Sequence, residues 1–284
     1  MSDIEFKDKF IGFIDILGFK ELVEAAEAGT GMTLTQLLEL LNDLGSPKDQ
    51  ARFTKHGPTT CPESIYVQRD LNFRVTQISD CVVVSSEVSP AGVINLVSHC
   101  WSVVIRLLTK GVLCRGYITR GSVFHTDTQF IGSGYEKACN QEKHVTAFKR
   151  ETENDGTPFV EVDPLVCDYV MDCCDSCVKE MFSRYVKKDK VVTALFPFKR
   201  LAHSFIIAGF GHMFDPKKEK QSNKNLRSII ENFKKCIMPF LDHPNHDVVR
   251  KVEHYITALD SQLKVCEETN DLIGVLSSTS HRNK

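Results

Sequence analysis

Phe10–Lys20 reads FIGFIDILGFK. Phe10, Ile11, Phe13, Ile14, Ile16 and Leu17 form a nearly continuous apolar run, the mark of a buried strand. Asp15 interrupts it. Gly18 then breaks the strand, and Lys20-Glu21-Leu22-Val23-Glu24-Ala25-Ala26 reads as the start of a helix. An acid at the end of a central strand is costly to bury without a partner. A metal ion is the usual compensation. The competing reading is a carboxylate that caps its own helix.

Phe73–Ser86, FRVTQISDCVVVSS, bears on that choice. Phe73, Val75 and Gln77 share one face of a strand, Cys81–Val84 forms a second, and Ile78-Ser79-Asp80 lies between them, a hairpin with an aspartate at its tip. The order of strand-borne Asp, Gly turn, helix and later hairpin-tip Asp resembles the class III nucleotide cyclase domain. The resemblance lies in Phe13-Ile14-Asp15-Ile16-Leu17-Gly18-Phe19 and Ile78-Ser79-Asp80-Cys81. Among cyclases the chain looks most like the bacterial pyrimidine cyclases of the Pycsar antiphage system, which make cyclic UMP or cyclic CMP. The likeness covers residues 8–150, and Ser79 stands where the wider family usually has Gly.

The chain has 284 residues, room for one large domain or for a domain with a helical extension. The net charge of −2 gives no electrostatic case for binding a nucleic-acid backbone. Met1–Glu5 is acidic and polar, unlike a secretory leader. Val93–Leu108, the longest apolar helix candidate, contains His99 and Arg106 and reads as too short and too polar to span a bilayer. Eleven cysteines, an odd number, are expected as reduced thiols in a cytoplasmic protein with no membrane association. Cys167, Cys173, Cys174 and Cys177 contain one C-x-x-C within what reads as a single helix, Leu165–Phe182, a weak case for zinc.

Read in order, residues 19–28 and 33–44 form helices, and 45–64 a long loop rich in Pro, Gly, Thr and Lys. The hairpin follows. Ser89-Pro90 opens a helix to Thr109, and Val112–Phe124 is a strand whose Gly116 and Gly121 allow close approach. Gln129–Gly132 leads into a helix ending near Lys149, and Phe159–Val162 is a further strand. This order predicts an α+β fold, a class III cyclase-like (ferredoxin-like) sheet with helices on one face. The domain is expected over residues 8–160, with a mainly helical extension over 161–284. Asn225–Leu241 and Asp247–Val265 are its amphipathic helices, joined by a His243-Pro244-Asn245-His246 turn. Gly209-Phe210-Gly211 lacks the strand context of a phosphate loop.

The resemblance implies a chemistry. The ribose 3′ oxygen of a nucleoside triphosphate attacks the α-phosphate and expels pyrophosphate, assisted by two Mn²⁺ or Mg²⁺ ions that want hard oxygen ligands. It assigns those ligands to Asp15, Asp80 and the main-chain carbonyl of Ile16, and places Phe19 at the phosphate-facing helix start. Arg115 falls where such enzymes carry a triphosphate-binding Arg. Arg120, five residues on, faces the opposite side of the same strand. Where purine cyclases have an Asn and an Arg four residues apart, this chain has Glu136 and Asn140, leaving Arg115, Arg120, Lys137 or Lys143 to meet the transition-state charge. Thr76 and Gln129 replace charged purine-reading groups, which fits UTP or CTP. The implied enzyme is a homodimer that joins metal ligands from one protomer to phosphate and base contacts from the other. Its cyclic UMP would activate a separate effector during phage infection. A cytidylate cyclase, a purine cyclase and a catalytically dead nucleotide-binding regulator are the alternatives.

Overall fold

The computed structural model describes residues 4–45, 49, 71–149, 156–196 and 215–280. The Pro- and Gly-rich stretch to residue 64, apart from Gly45 and Asp49, and the Gly209-Phe210-Gly211 stretch lie outside the described residues. The chain divides into two compact units, Met1–Leu195 and Phe196–Lys284.

The first unit is built on β1 (Lys7–Ile16), the apolar run of the sequence extended by three polar residues at its start. It is followed by α1 (Phe19–Glu27) and α2 (Leu34–Leu44), then by β2 (Arg74–Ile78) and β3 (Cys81–Glu87). Next come α3 (Pro90–Thr109), β4 (Cys114–His125), the short β5 (Phe130–Ile131) and α4 (Ser133–Glu142). Local chemistry sets the boundaries. Thr33 and Gln36 form a reciprocal capping box on α2. The Ser89 hydroxyl accepts from the Gly92 amide, and Pro90 occupies the first turn of α3, where its missing N–H costs nothing. β1 lies between β3 and β4, antiparallel to both, and β2 pairs with β3. The order β2-β3-β1-β4 is that of a split βαβ sheet, in which each helix crossover skips one strand.

The sheet runs past residue 160. β6 (Val160–Val162) pairs parallel with β4, and a hairpin of β7 (Val186–Asp189) and β8 (Val192–Leu195) extends the edge. The compact unit therefore ends at Leu195, not near residue 160. The helix expected over 165–182 is two helices, α5 (Pro164–Cys173) and α6 (Ser176–Ser183). Cys174 turns extended between them, and the Asp175 carboxylate caps α6 by accepting from the Val178 amide. Nine described cysteines are free, whereas Cys177 is in a disulfide, so the all-thiol expectation does not hold there.

Side chains of β1 alternate between two cores. Phe10, Ile14 and Ile16 join α2, α3, α5 and α6 in the larger one. Ile11 and Phe13 join Val83, Val123 and Ala138 in a smaller one, on the face covered by α4. Helices thus cover both faces, where one was expected. α3 has the bounds expected from its Ser-Pro start. Unlike its Val93–Leu108 stretch, which reads as too short and too polar, the whole helix is long and apolar enough to cross a membrane by length and composition, but most of it is buried in the larger core.

The second unit contains α7 (Pro216–Ile237), a 3₁₀ turn (Met238–Asp242) and α8 (His246–Ser280). The two helices run antiparallel. The Asn223 amide donates to the Cys266 carbonyl at 2.7 Å, and Lys234 pairs with Asp260 at 2.6 Å.

α4 approaches β4 through glycine. A Cβ on Gly121 would lie 2.8 Å from the Gly134 Cα, a backbone atom that can yield only if the helix moves. Gly121→Ala is expected to destabilise the first unit by about 1–3 kcal/mol. Gly274 in α8 has nothing within 4 Å of its would-be Cβ, so Gly274→Ala is expected to be neutral or stabilising by roughly 0.5–1 kcal/mol. Denaturant titration of both variants checks the pair, and equal behaviour would refute the glycine contact.

Candidate active site

The end of β1 is fixed from both sides. Asp15 is the register partner of Cys81 on β3 and of Arg115 on β4. The Ile16 amide donates to the Asp80 carbonyl at 3.0 Å, and the Leu17 amide to the Leu113 carbonyl at 2.9 Å. The first bond ties the hairpin tip to the strand and places the Ile16 main chain between the two aspartates. Ser79 has φ +51°, in the left-handed region that favours glycine. That is the physical reason for a Gly at this position in similar motifs. The Gln77 side-chain amide donates to the Ser79 carbonyl at 2.9 Å and holds the tip in shape.

Asp15 does not cap α1. The cap position belongs to Gly18, also left-handed at φ +74°, with no side-chain cap. The first amides of α1 therefore stay available to an anion. Phe19 packs its ring against the larger core, so its contribution to a ligand would be main-chain.

Electrostatics single out Asp15. Burial raises its pKa to about 7, helped by the negative charges of Glu142 and Asp80, while Arg115 and Lys143 pull the other way. The same environment pushes the Cys81 thiol to about 12, through burial and then the charges of Asp15 and Asp80. A half-buried carboxylate crowded by two others is a site that gains from a hard divalent cation. Among the described residues no group of three or more His, Cys, Asp and Glu side chains has metal-holding geometry. The donor set that fits is Asp15 and Asp80 with the Ile16 carbonyl, which leaves further oxygens to a triphosphate or water.

Arg115 is anchored along one edge of its guanidinium. Its Nε donates to the Glu142 carboxylate, whose side chain is only 3% exposed. Glu142 was missed in the sequence reading, yet a signal was present. Gly134, Ala138 and Glu142, four residues apart, form the buried stripe of α4, so a carboxylate closes a stripe of small residues. Arg115 also lies beside Asp15 within one chain, where the resemblance put the metal and phosphate contacts on different protomers. Arg120 points to the other face, as five-residue spacing on a strand requires. It binds Asp8 at 2.7 and 2.9 Å and sits 5.8 Å from the Tyr169 ring centroid. Lys137 pairs with buried Asp163 at 2.5 Å. Glu136 and Asn140 are exposed on α4.

Thr76 and Gln129 are drawn together elsewhere, around the turn joining β4 to β5. The Thr76 hydroxyl donates to the Thr126 carbonyl at 3.0 Å, and the Thr126 amide donates to the Gln129 carbonyl at 2.8 Å. Thr76 is buried and also lies 3.0 Å from His125 Nε2, so its hydroxyl is committed within the fold. The Gln129 side chain is exposed. A cavity of about 240 Å³ adjoins this turn, lined by Lys7, Lys9, Arg74, His125, Thr126 and Asp127 among others, and by none of Asp15, Asp80 and Arg115.

No family model matches the chain, and no curated protein does. Among solved structures it is similar to the catalytic core of a rhodopsin-guanylyl cyclase with converted specificity in complex with ATPαS. The identity is 11%, the TM-score is 0.37, and the match covers 67% of this chain and 96% of that one.

Proposed function

We propose that the chain is a nucleotide cyclase that closes a pyrimidine nucleoside triphosphate, UTP, to its 3′,5′-cyclic monophosphate with release of pyrophosphate. The observation that carries this reading is the junction of Asp15 and Asp80 through the Ile16–Asp80 hydrogen bond. It brings two carboxylates to one strand end, where burial and mutual repulsion hold a proton on Asp15 up to about pH 7. Asp15, Asp80 and the Ile16 carbonyl would hold two Mg²⁺ or Mn²⁺ ions. Such ions supply Lewis-acid stabilisation of the attacking and leaving oxygens. The uncapped amides of α1 receive phosphate oxygens. Arg115, anchored by Glu142, keeps a fixed positive charge beside Asp15.

The pyrimidine reading rests on Thr76 and Gln129, neither of which is a charged purine reader. With the Thr76 hydroxyl committed to the fold, base selection falls to Gln129, whose amide both donates and accepts. Assembly as a homodimer and signalling through a separate effector in antiphage defence follow from the likeness to Pycsar cyclases.

Incubation of the protein with each of the four ribonucleoside triphosphates and Mn²⁺ tests the reading. Cyclic UMP or cyclic CMP is expected to form far faster than purine products, and absence of any cyclic product refutes it. Asp15→Asn and Asp80→Asn are expected to lose at least about 10³-fold in turnover, since a charged metal ligand disappears with little change in volume. Asp15→Asn has a second readout. A carboxylate pKa raised in the fold costs stability as pH climbs from the unfolded value toward 7. In EDTA, therefore, Asp15→Asn melts higher than wild type at pH 8, and the difference shrinks near pH 4.

Gln129→Ala is expected to erode the preference for pyrimidine over purine triphosphates more than it lowers total turnover, measured as the ratio of kcat/KM values. An unchanged ratio removes Gln129 from base selection. Because Asp15 and Arg115 are neighbours in one chain, a mixture of Asp15→Asn and Arg115→Ala chains should stay as inactive as its components. Recovery of activity in that mixture would place the two residues in different protomers' halves of a shared site.

A further inference from the structure

We propose that Lys143 supplies the mobile positive charge that meets the substrate's polyphosphate, while Arg115 acts as a positioning residue held by Glu142. This rests on the cyclase reading and names a binding contact within it. In the ring closure the 3′ oxygen forms a bond to the α-phosphorus. The bond from that phosphorus to the oxygen bridging to the β-phosphate breaks, its electron pair leaves with pyrophosphate, and the 3′ hydroxyl proton passes to water. Negative charge therefore grows on the leaving pyrophosphate, and a positioned cation lowers the barrier.

The other cations weighed above, and Lys20, each have an acidic partner among the described residues. Arg115 Nε is bound to a buried carboxylate. Arg120 is on the opposite face, with Asp8. Lys137 is tied to Asp163. Lys20, at the start of α1, leans 3.7 Å from Glu24 one turn on. Lys143 follows Glu142 directly, at the C-terminal cap of α4, and its side chain is exposed. Among the described residues it has no acidic partner. The charges of Arg115 and Lys143 both reach Asp15. A lysine ammonium is a compact charge on a flexible stem with three donors, suited to following a leaving group as it separates. Glu142 thus separates two roles. It fixes one cation against the strand end and leaves the next residue free to move over it.

Calorimetric titration of pyrophosphate into the full chain with saturating Mn²⁺ tests the contact without turnover. Lys143→Ala is expected to weaken pyrophosphate binding about 10–100-fold, the loss of a charge-assisted hydrogen bond. Lys143→Arg should retain most of it, and both variants should melt with the wild type because the side chain is exposed. With UTP, Lys143→Ala should lower kcat at least about 10-fold. Wild-type pyrophosphate affinity in Lys143→Ala, or no pyrophosphate binding by the wild type, overturns the assignment. Failure of the cyclase reading gives a different result: no cyclic product from any triphosphate, with the Lys143→Ala loss of pyrophosphate binding intact.

Discussion

Asp15 is the constraint on which the rest of the first unit depends. It sits on the central strand with partners on both sides, so the sheet cannot tilt it into water without breaking either the β1–β3 or the β1–β4 pairing. Its environment disfavours its own charge. A fold that keeps such a group must hold it from elsewhere. Here the hold comes from Phe10, Ile14 and Ile16, whose side chains lie in the larger core with α3. One face of β1 thus stabilises the strand while Asp15 on the other opposes it.

β4 divides its labour in the same way. Alternation sends Cys114 and Ile118 into the larger core and turns Arg115 toward Asp15 and Glu142. A one-residue slip against β1 would exchange these sets, burying Arg115 among α3 side chains and moving its charge off the strand end. The glycines of β4 and α4 guard against a related error. Only where Gly121 meets Gly134 can α4 come close enough to deliver Glu142 to Arg115. The buried pair would be costly if either partner were removed, since the other would be left charged and uncompensated.

Much of this was legible in the sequence for identifiable reasons. β1, the hairpin and α3 declare themselves through unbroken apolar runs, a tip that needs special backbone and a Ser-Pro helix start, all local signals. The opposed directions of Arg115 and Arg120 follow from strand periodicity alone. The split of 165–182 into α5 and α6 was missed because the break at Cys174 is carried by the Asp175 cap, which looks like any mid-helix acid until its amide partner is known. The β7–β8 hairpin was missed because Lys187 and Lys188 interrupt any apolar alternation, as expected of an edge strand. Glu142 was missed because burial of an acid is decided by a partner 27 residues away. The placement of α4 on the second face was invisible for a similar reason: Gly121 signalled close approach without saying to what.

Thr76 shows how a residue singled out for one role carries a structural load as well. The resemblance puts it at a base-reading position, and its hydrogen bonds make it a strut. Its hydroxyl proton goes to the Thr126 carbonyl, so the hydroxyl can only accept from His125, and Nε2 must carry the imidazole proton. Nδ1 then accepts from the Ser85 hydroxyl at 2.8 Å. Burial, reinforced by the charges of Lys9 and Arg74, lowers the His125 pKa to about 3, so this single tautomer persists across the physiological range. The chain of bonds runs from β3 through β4 to β2 and fixes the turn from which Gln129 projects. A ligand that recruited the Thr76 hydroxyl would have to break the bond to Thr126 and loosen that turn. Recognition from the exposed Gln129 amide leaves the strut intact, and the rigidity Thr76 gives the turn becomes part of how a base would be read.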